Sequence, residues 1–160
     1  KILQTFNQNE SNFKWNVFVN TSLTNSKYIS SNIPAGSSGK IVVGNKVEFV
    51  PLINLKSGTS FGYKNLNTNF QITYLSSQYT DASNSTSDST NNTNGIKGEI
   101  PSYYVLDWSL NYKFSKFLIE AGVNNLTNNY YFTRRDTVYP GPGILHSENI
   151  IIYVTLQFNL

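Results

Sequence analysis

Two adjacent arginines, Arg134 and Arg135, followed closely by Tyr139, give the strongest hint of chemistry in this 160-residue chain. A guanidinium stays charged at any physiological pH and presents its donors as a planar fork, so a pair of them suits bidentate capture of carboxylates. The plain alternative is an ion pair with Asp136. Tyr139 opens the stretch YPGPG (139–143), a rigid turn cluster that reads as a loop scaffold. Asp107 and Glu120 come next, as a carboxylate pair of the kind acid–base work requires. His146 is the only histidine and there is no cysteine. Closed metal sites take three or four ligands, and thiol chemistry or a disulfide framework needs Cys, so no metal site and no cofactor are expected.

The elements that must position these residues are strands. Six segments alternate apolar and polar residues with period two. Phe13, Trp15, Val17, Val19 and Leu23 share one face, against Lys14, Asn16, Asn20 and Ser22. From about Phe49, Ile53, Leu55, Thr59, Phe61 and Tyr63 oppose Asn54, Lys56, Gly58 and Ser60. Phe70, Ile72 and Tyr74 oppose Asn69, Gln71 and Thr73. The clearest segment sets Tyr104, Leu106, Trp108, Leu110, Tyr112 and Phe114 against Asp107, Ser109, Asn111 and Lys113. Phe117, Ile119, Ala121 and Val123 then oppose Glu120, Gly122 and Asn124. Last, Ile150, Ile152, Val154, Leu156, Phe158 and Leu160 oppose Tyr153, Thr155, Gln157 and Asn159. No segment of similar length has a helical repeat, so the chain is all-β.

Strand length and composition point to a membrane barrel rather than a soluble sandwich. Charged residues are 13% of the chain and aromatics 14%, with a mean hydropathy of −0.32. No run of some 20 apolar residues is available for a transmembrane helix. Globular strands average roughly 5–6 residues. A strand of about 11 residues spans about 36 Å, and a tilt of about 45° brings this to the ~25 Å of an apolar barrel band. Rings near both strand ends (Phe13 and Trp15; Tyr104 and Phe114) fit aromatic girdles. Connections alternate between short (64–67 and 114–116) and long (24–47, 79–102 and 127–149), which is the bacterial pattern with the short side periplasmic. The C-terminus falls on that side. The Ser/Thr/Asn/Asp run 81–94 is expected to be a solvated, mobile loop tip. Sequons such as Asn125-Leu-Thr read as accidents of an Asn-rich chain.

In a barrel, Asp107, Glu120 and Asn124 face the lumen, where charges ordinarily meet Lys, Arg or a plug rather than a substrate. No catalytic residues are assigned, and the chain is not expected to be an enzyme. A net charge of +3 with scattered basic residues excludes a nucleic-acid partner. Six strands cannot close a barrel, since only closure removes sheet edges from lipid. Together with a chain that starts at Lys1 without a signal peptide, this marks the residues as a fragment.

Several short motifs resemble TonB-dependent outer-membrane receptors. They are IPSYYVLD (100–107) followed by NY (111–112), GVNNLTNNYY (122–131), FVP (49–51) and YTD (79–81). Each is weak alone; their order and spacing make the resemblance specific from about Phe13 to Leu160. It implies that residues 1–160 are the C-terminal strands of a larger barrel of roughly 22 strands. The plug domain and N-terminal strands would lie outside the chain. The resemblance further implies uptake of an iron complex through extracellular loops, energised by TonB acting on an N-terminal segment. YFTRR (131–135) with YPGPGI (139–144) is similar to the ferric-dicitrate branch, although SEN (147–149) stands where the family commonly has Gly-Arg. This implies ligand contacts at Arg134, Arg135 and Tyr139; the bland alternative for the arginines is lipopolysaccharide phosphate. The ending YVTLQFNL (153–160) resembles the signal read by the barrel-assembly machinery, implying roles for Tyr153, Phe158 and Leu160. Other outer-membrane barrels (a porin, an adhesin or a barrel enzyme) are the alternative reading, and a soluble β-sandwich is third.

Overall fold

The computed structural model describes residues 2–7, 12–30, 42–86, 98–135 and 143–159. Its body is one antiparallel sheet of seven strands. In sheet order these are β1 (Ile2–Asn7), β2 (Phe13–Leu23), β3 (Ile53–Tyr63), β4 (Leu66–Leu75), β7 (Tyr103–Phe114), β8 (Phe117–Asn124) and β11 (Ile151–Phe158). Two small hairpin sheets stand at the long-loop end: β5 (Gln78–Tyr79) with β6 (Glu99–Ile100), and β9 (Phe132–Arg135) with β10 (Ile144–His146). Every neighbour in the main sheet is its neighbour in sequence once those hairpins are set aside. The wall is therefore an up-and-down meander.

All six alternating segments are strands, and they lie side by side. The wall also has a strand that the alternation did not mark, β1, which pairs with β2 from Ile2↔Val19 to Asn7↔Lys14. It is half the length of its partner, too short to carry a distinct period. The second segment starts at Ile53 rather than Phe49. Leu66 and Asn67 belong to β4, leaving only residues 64–65 as the turn. The long connections contain four short strands where only loop was expected.

The register keeps one face apolar across the whole sheet. Trp15 pairs with Phe61, Thr59 with Phe70, Phe70 with Trp108, Trp108 with Val123 and Val123 with Ile152. No second layer covers this face among the described residues. Leu23, Ile152 and Val154 are more than 70% exposed, and among the described residues the buried apolar side chains are Val42, Ile100 and Val123. A soluble sandwich would bury that face under another sheet; among the described residues none does so. Rings crowd the short-turn end, where Phe13, Tyr63, Tyr112, Phe114, Phe117 and Phe158 are all exposed.

The two indoles on the apolar face find acceptors within the sheet. The Trp15 indole donates to Thr59 Oγ1 at 2.8 Å, and Thr59 donates on to the Asn16 carbonyl at 3.1 Å. Trp108 repeats the relay through Thr68 (2.9 Å) to the Ser109 carbonyl (3.1 Å). Each threonine sits diagonally across from its indole on the neighbouring strand. In hydrocarbon no water could take either proton, so the relay removes a cost of roughly 1–3 kcal/mol per orphaned donor.

The opposite face is polar, with two rings lying over glycines. Phe18 covers Gly58, and Tyr153 covers Gly122. A Cβ on Gly122 would press into the Tyr153 ring and come within 2.8 Å of the Trp108 carbonyl. Both turns are two residues long and start in the left-handed region, at Lys64 (φ 51°) and Ser115 (φ 53°).

Candidate ligand-binding end and polar face

The three long connections form a stitched lobe. Between the first and second, Asn84 acts as a surrogate strand: its Oδ1 accepts from Lys46 N at 2.7 Å and its Nδ2 donates to Lys46 O at 2.8 Å. Asn45 Nδ2 donates to the Ala82 carbonyl, and Phe49 N to Tyr79 O. Asp81 Oδ1 accepts from Ser83 N, Ser85 N and Ser85 Oγ, closing a tight turn. Residues 81–85 are half-buried and folded in this turn. The start of the Ser/Thr/Asn run is thus not the solvated tip its composition suggests, because one carboxylate organises it. Residues 87–94 of that run lie outside the described residues. Within the first connection, Tyr28 donates to Glu48 Oε2 at 2.6 Å, and this bond to a carboxylate raises the phenol pKa.

Arg134 and Arg135 sit on β9, paired with Leu145 and Ile144 of β10. Successive strand residues point to opposite sides, so the two guanidiniums do not form one fork. Arg135 turns toward the second connection. Its Nε and Nη2 donate to the Glu99 carbonyl at 3.3 and 3.0 Å, and its guanidinium lies 5.0 Å from the Phe132 ring centre. Desolvation lowers its pKa, opposed by the attraction of Glu99. Arg134 is exposed. Tyr131, just before β9, stacks on Tyr103 with ring centres 4.6 Å apart. His146 is exposed on β10. Tyr139 lies outside the described residues.

The polar face carries Asp107, Glu120 and Asn124. Asp107, Asn124, Asn69, Gln71 and Tyr153 line a hollow of about 320 Å³. Asp107 Oδ1 accepts from Asn125 N at 2.9 Å. Glu120 pairs instead with Asn111 and Thr155. Asn111 is four residues along β7 from Asp107, so the carboxylates are separated by roughly 13 Å along the strand. They do not form an acid–base pair. Among the described residues no group of three His, Asp or Glu could hold a metal.

Asn125 is a structural residue that side-chain chemistry alone did not single out. It is 2% exposed, left-handed at φ 51°, and fully engaged. Its Nδ2 donates to the carbonyls of Asn129 (2.9 Å) and Glu148 (3.3 Å), and its Oδ1 accepts from Asn129 N. Asn128 Oδ1 accepts from Ile150 N, and Asn129 Nδ2 reaches Tyr104 O. The NNLTNN run therefore splices the end of β8 to the start of β11. Its buried amide is unavailable for a glycan, in line with treating the sequon as accidental. Of the C-terminal residues, Tyr153 lies on the polar face over Gly122, and Phe158 packs on Phe117 with ring centres 5.1 Å apart. Leu160 lies outside the described residues.

A sheet of such long strands, apolar on one face and looped at one end, has a counterpart among known families. The model of the TonB dependent receptor-like β-barrel matches residues 5–126. The chain belongs to this family. Its members are transport receptors of the bacterial outer membrane rather than enzymes. No curated protein sequence matches the chain. Among solved structures, it is similar to the unliganded ferric citrate transporter FecA, with a TM-score of 0.69 and 22% identity over 88% of this chain and 20% of that one. The siderophore receptor PiuA from Acinetobacter baumannii gives 0.65 and 22% identity over 89% and 19%. The ferric-catecholate import receptor Fiu from E. coli K12 gives 0.65 and 13% identity over 89% and 18%. The chain spans about a fifth of the length of these proteins. At such identities the likeness concerns the fold.

Proposed function

We propose that this chain is the C-terminal part of the barrel of an outer-membrane receptor that imports an iron complex, ferric citrate or another siderophore, with energy delivered through TonB. The observation that carries the proposal is the unbroken apolar face across strands joined by tight turns at one end and long, mutually stitched loops at the other. Such a wall separates lipid from a polar lumen, and the stitched loops supply a surface that a ligand can meet before entry. The plug, the TonB-contacting segment and the remaining strands belong to the rest of the receptor. The short turns and the C-terminus face the periplasm. On this reading Tyr153, Phe158 and Leu160 belong to the segment read by the barrel-assembly machinery.

Arg134, exposed in the lobe, and Tyr139 are the proposed ligand contacts, and Arg135 positions β9 by holding the Glu99 carbonyl. An anionic iron complex suits a guanidinium because its charge and donors are fixed. The test is uptake of radioactive iron by cells with and without the full-length receptor and with and without TonB. Uptake of ferric citrate or a siderophore that requires both supports the proposal. Equal uptake in all strains for every iron complex tried would remove it.

A further inference from the structure

Among the described residues, the short-turn end of the sheet carries lysines and no carboxylate side chain. Lys14, Lys64, Lys113 and Lys116 lie there, and residues 12–14, 62–67, 112–118 and 157–159 contain no Asp or Glu. At the long-loop end the described cations Lys27, Lys46, Arg134 and Arg135 are accompanied by Glu48, Asp81, Glu99 and Glu148. Lys64 and Lys116 each occupy a tight turn. Those turns belong to adjacent hairpins, because β4 pairs with β7, so they stand two strand spacings or roughly 10 Å apart. Lys113 N donates to Asn65 O at 3.0 Å and ties the two hairpin ends together.

The side on which the charge sits is informative. The Lys64 ammonium is 5.3 Å from the centre of the Tyr63 ring, and Tyr63 is a 55% exposed residue of the apolar face. Lys116 is flanked by Phe114 and Phe117, exposed rings of that same face. At least one cation is thus held on the lipid side of the wall, just beyond the apolar band, where headgroups begin. A lysine is a compact charge on a flexible stem, which suits a phosphodiester and lets it follow the interface.

We infer that this rim binds the phosphates of anionic phospholipids, phosphatidylglycerol in particular. Lys64 and Lys116 make the contacts, and Tyr63 and Phe117 lie against the glycerol and upper acyl region. The inference rests on the barrel proposal above, which puts the tight turns at the phospholipid leaflet.

The experiment titrates the detergent-solubilised full-length receptor with phosphatidylglycerol and with phosphatidylcholine, and counts bound lipid by native mass spectrometry. The variant is Lys64→Asn with Lys116→Gln; asparagine tolerates the left-handed backbone at position 64. The wild type is expected to bind phosphatidylglycerol in preference to phosphatidylcholine. Each lysine removed should weaken that binding roughly fivefold, and an arginine double variant should retain it. Equal binding of the two lipids, unchanged binding in the Lys64→Asn/Lys116→Gln variant, or selective loss of lipopolysaccharide instead would each overturn the inference. Heat-modifiable gel mobility is read in parallel. A barrel that persists without lipid selectivity refutes only this inference, whereas no heat-modifiable species in the wild type refutes the barrel proposal and this one with it.

Discussion

Replacing Leu110 by Arg puts a charge on the apolar face close to its mid-height. Leu110 lies four residues from Phe114, the turn end of β7. A strand rises about 3.4 Å per residue, and a tilt of about 40° reduces this to roughly 2.6 Å along the membrane normal. Leu110 thus stands about 10 Å above the level of Phe114, near the middle of an apolar band about 25 Å tall. Its cross-strand partners, Thr68 and Ala121, offer no carboxylate. An arginine at that depth costs about 2–4 kcal/mol, a roughly thirty- to several-hundredfold shift in the folding equilibrium. Asn111→Arg is the matched control. It faces the polar side between Asn67 and Glu120, whose carboxylate can meet the new charge, so its effect should stay within about 0.5 kcal/mol. The assay is urea unfolding of the full-length receptor from phosphatidylcholine vesicles, followed by tryptophan fluorescence. Equal midpoints for the two variants, or a lower one for Asn111→Arg, would refute the assignment of faces.

Thr68→Val should destabilise the receptor by about 1–3 kcal/mol, since it orphans the Trp108 indole and one bond of the Ser109 carbonyl in lipid, while Thr68→Ser should restore most of the loss. Unfolding midpoints of the two variants decide it; equal losses would deny the relay any role. Arg135→Ala should raise amide hydrogen exchange in both β6 and β9, whereas Arg134→Ala should weaken ferric citrate binding roughly ten- to hundredfold. The reverse pattern would exchange the two roles. Gly122→Val should lower the yield of assembled barrel, and adding Tyr153→Ala should recover only part of it, because the Trp108 carbonyl remains in the way. Full recovery in the double variant, read by heat-modifiable mobility, would place the whole conflict in the ring.

The long strands were legible in the sequence because a membrane wall imposes a strict alternation on them. Each face of β7 meets a uniform solvent, lipid or water, so its period is clean from Tyr104 to Phe114. The short strands β5, β6, β9 and β10 answer to no such uniform surroundings. They are specified by single contacts, such as Arg135 on the Glu99 carbonyl or the Tyr103–Tyr131 stack, between residues far apart in the chain. For the same reason the two arginines looked like one fork in the sequence. Their adjacency is real, but pairing of β9 with β10 turns adjacency into opposition.

The abundance of asparagine follows from the same physics. A single sheet with lipid on one side leaves little apolar surface for its loops to bury, and the described lobe is nearly without a core beyond Val42 and Ile100. Hydrophobic burial therefore cannot order the loops; hydrogen bonds to backbone must. An asparagine side chain carries a donor and an acceptor in the same planar arrangement as a peptide group. Asn84 uses both on Lys46 as a missing strand would, Asn125 does so on Asn129, and Asn128 and Asn129 bond the backbone at Ile150 and Tyr104. Three of these residues, Asn84, Asn125 and Asn128, also adopt left-handed backbone, which asparagine accepts more readily than most. Aspartate at position 125 would keep the acceptor but lose the donors to Asn129 and Glu148, and it would bury a charge. The amide, not merely a polar side chain, is what the splice between β8 and β11 requires.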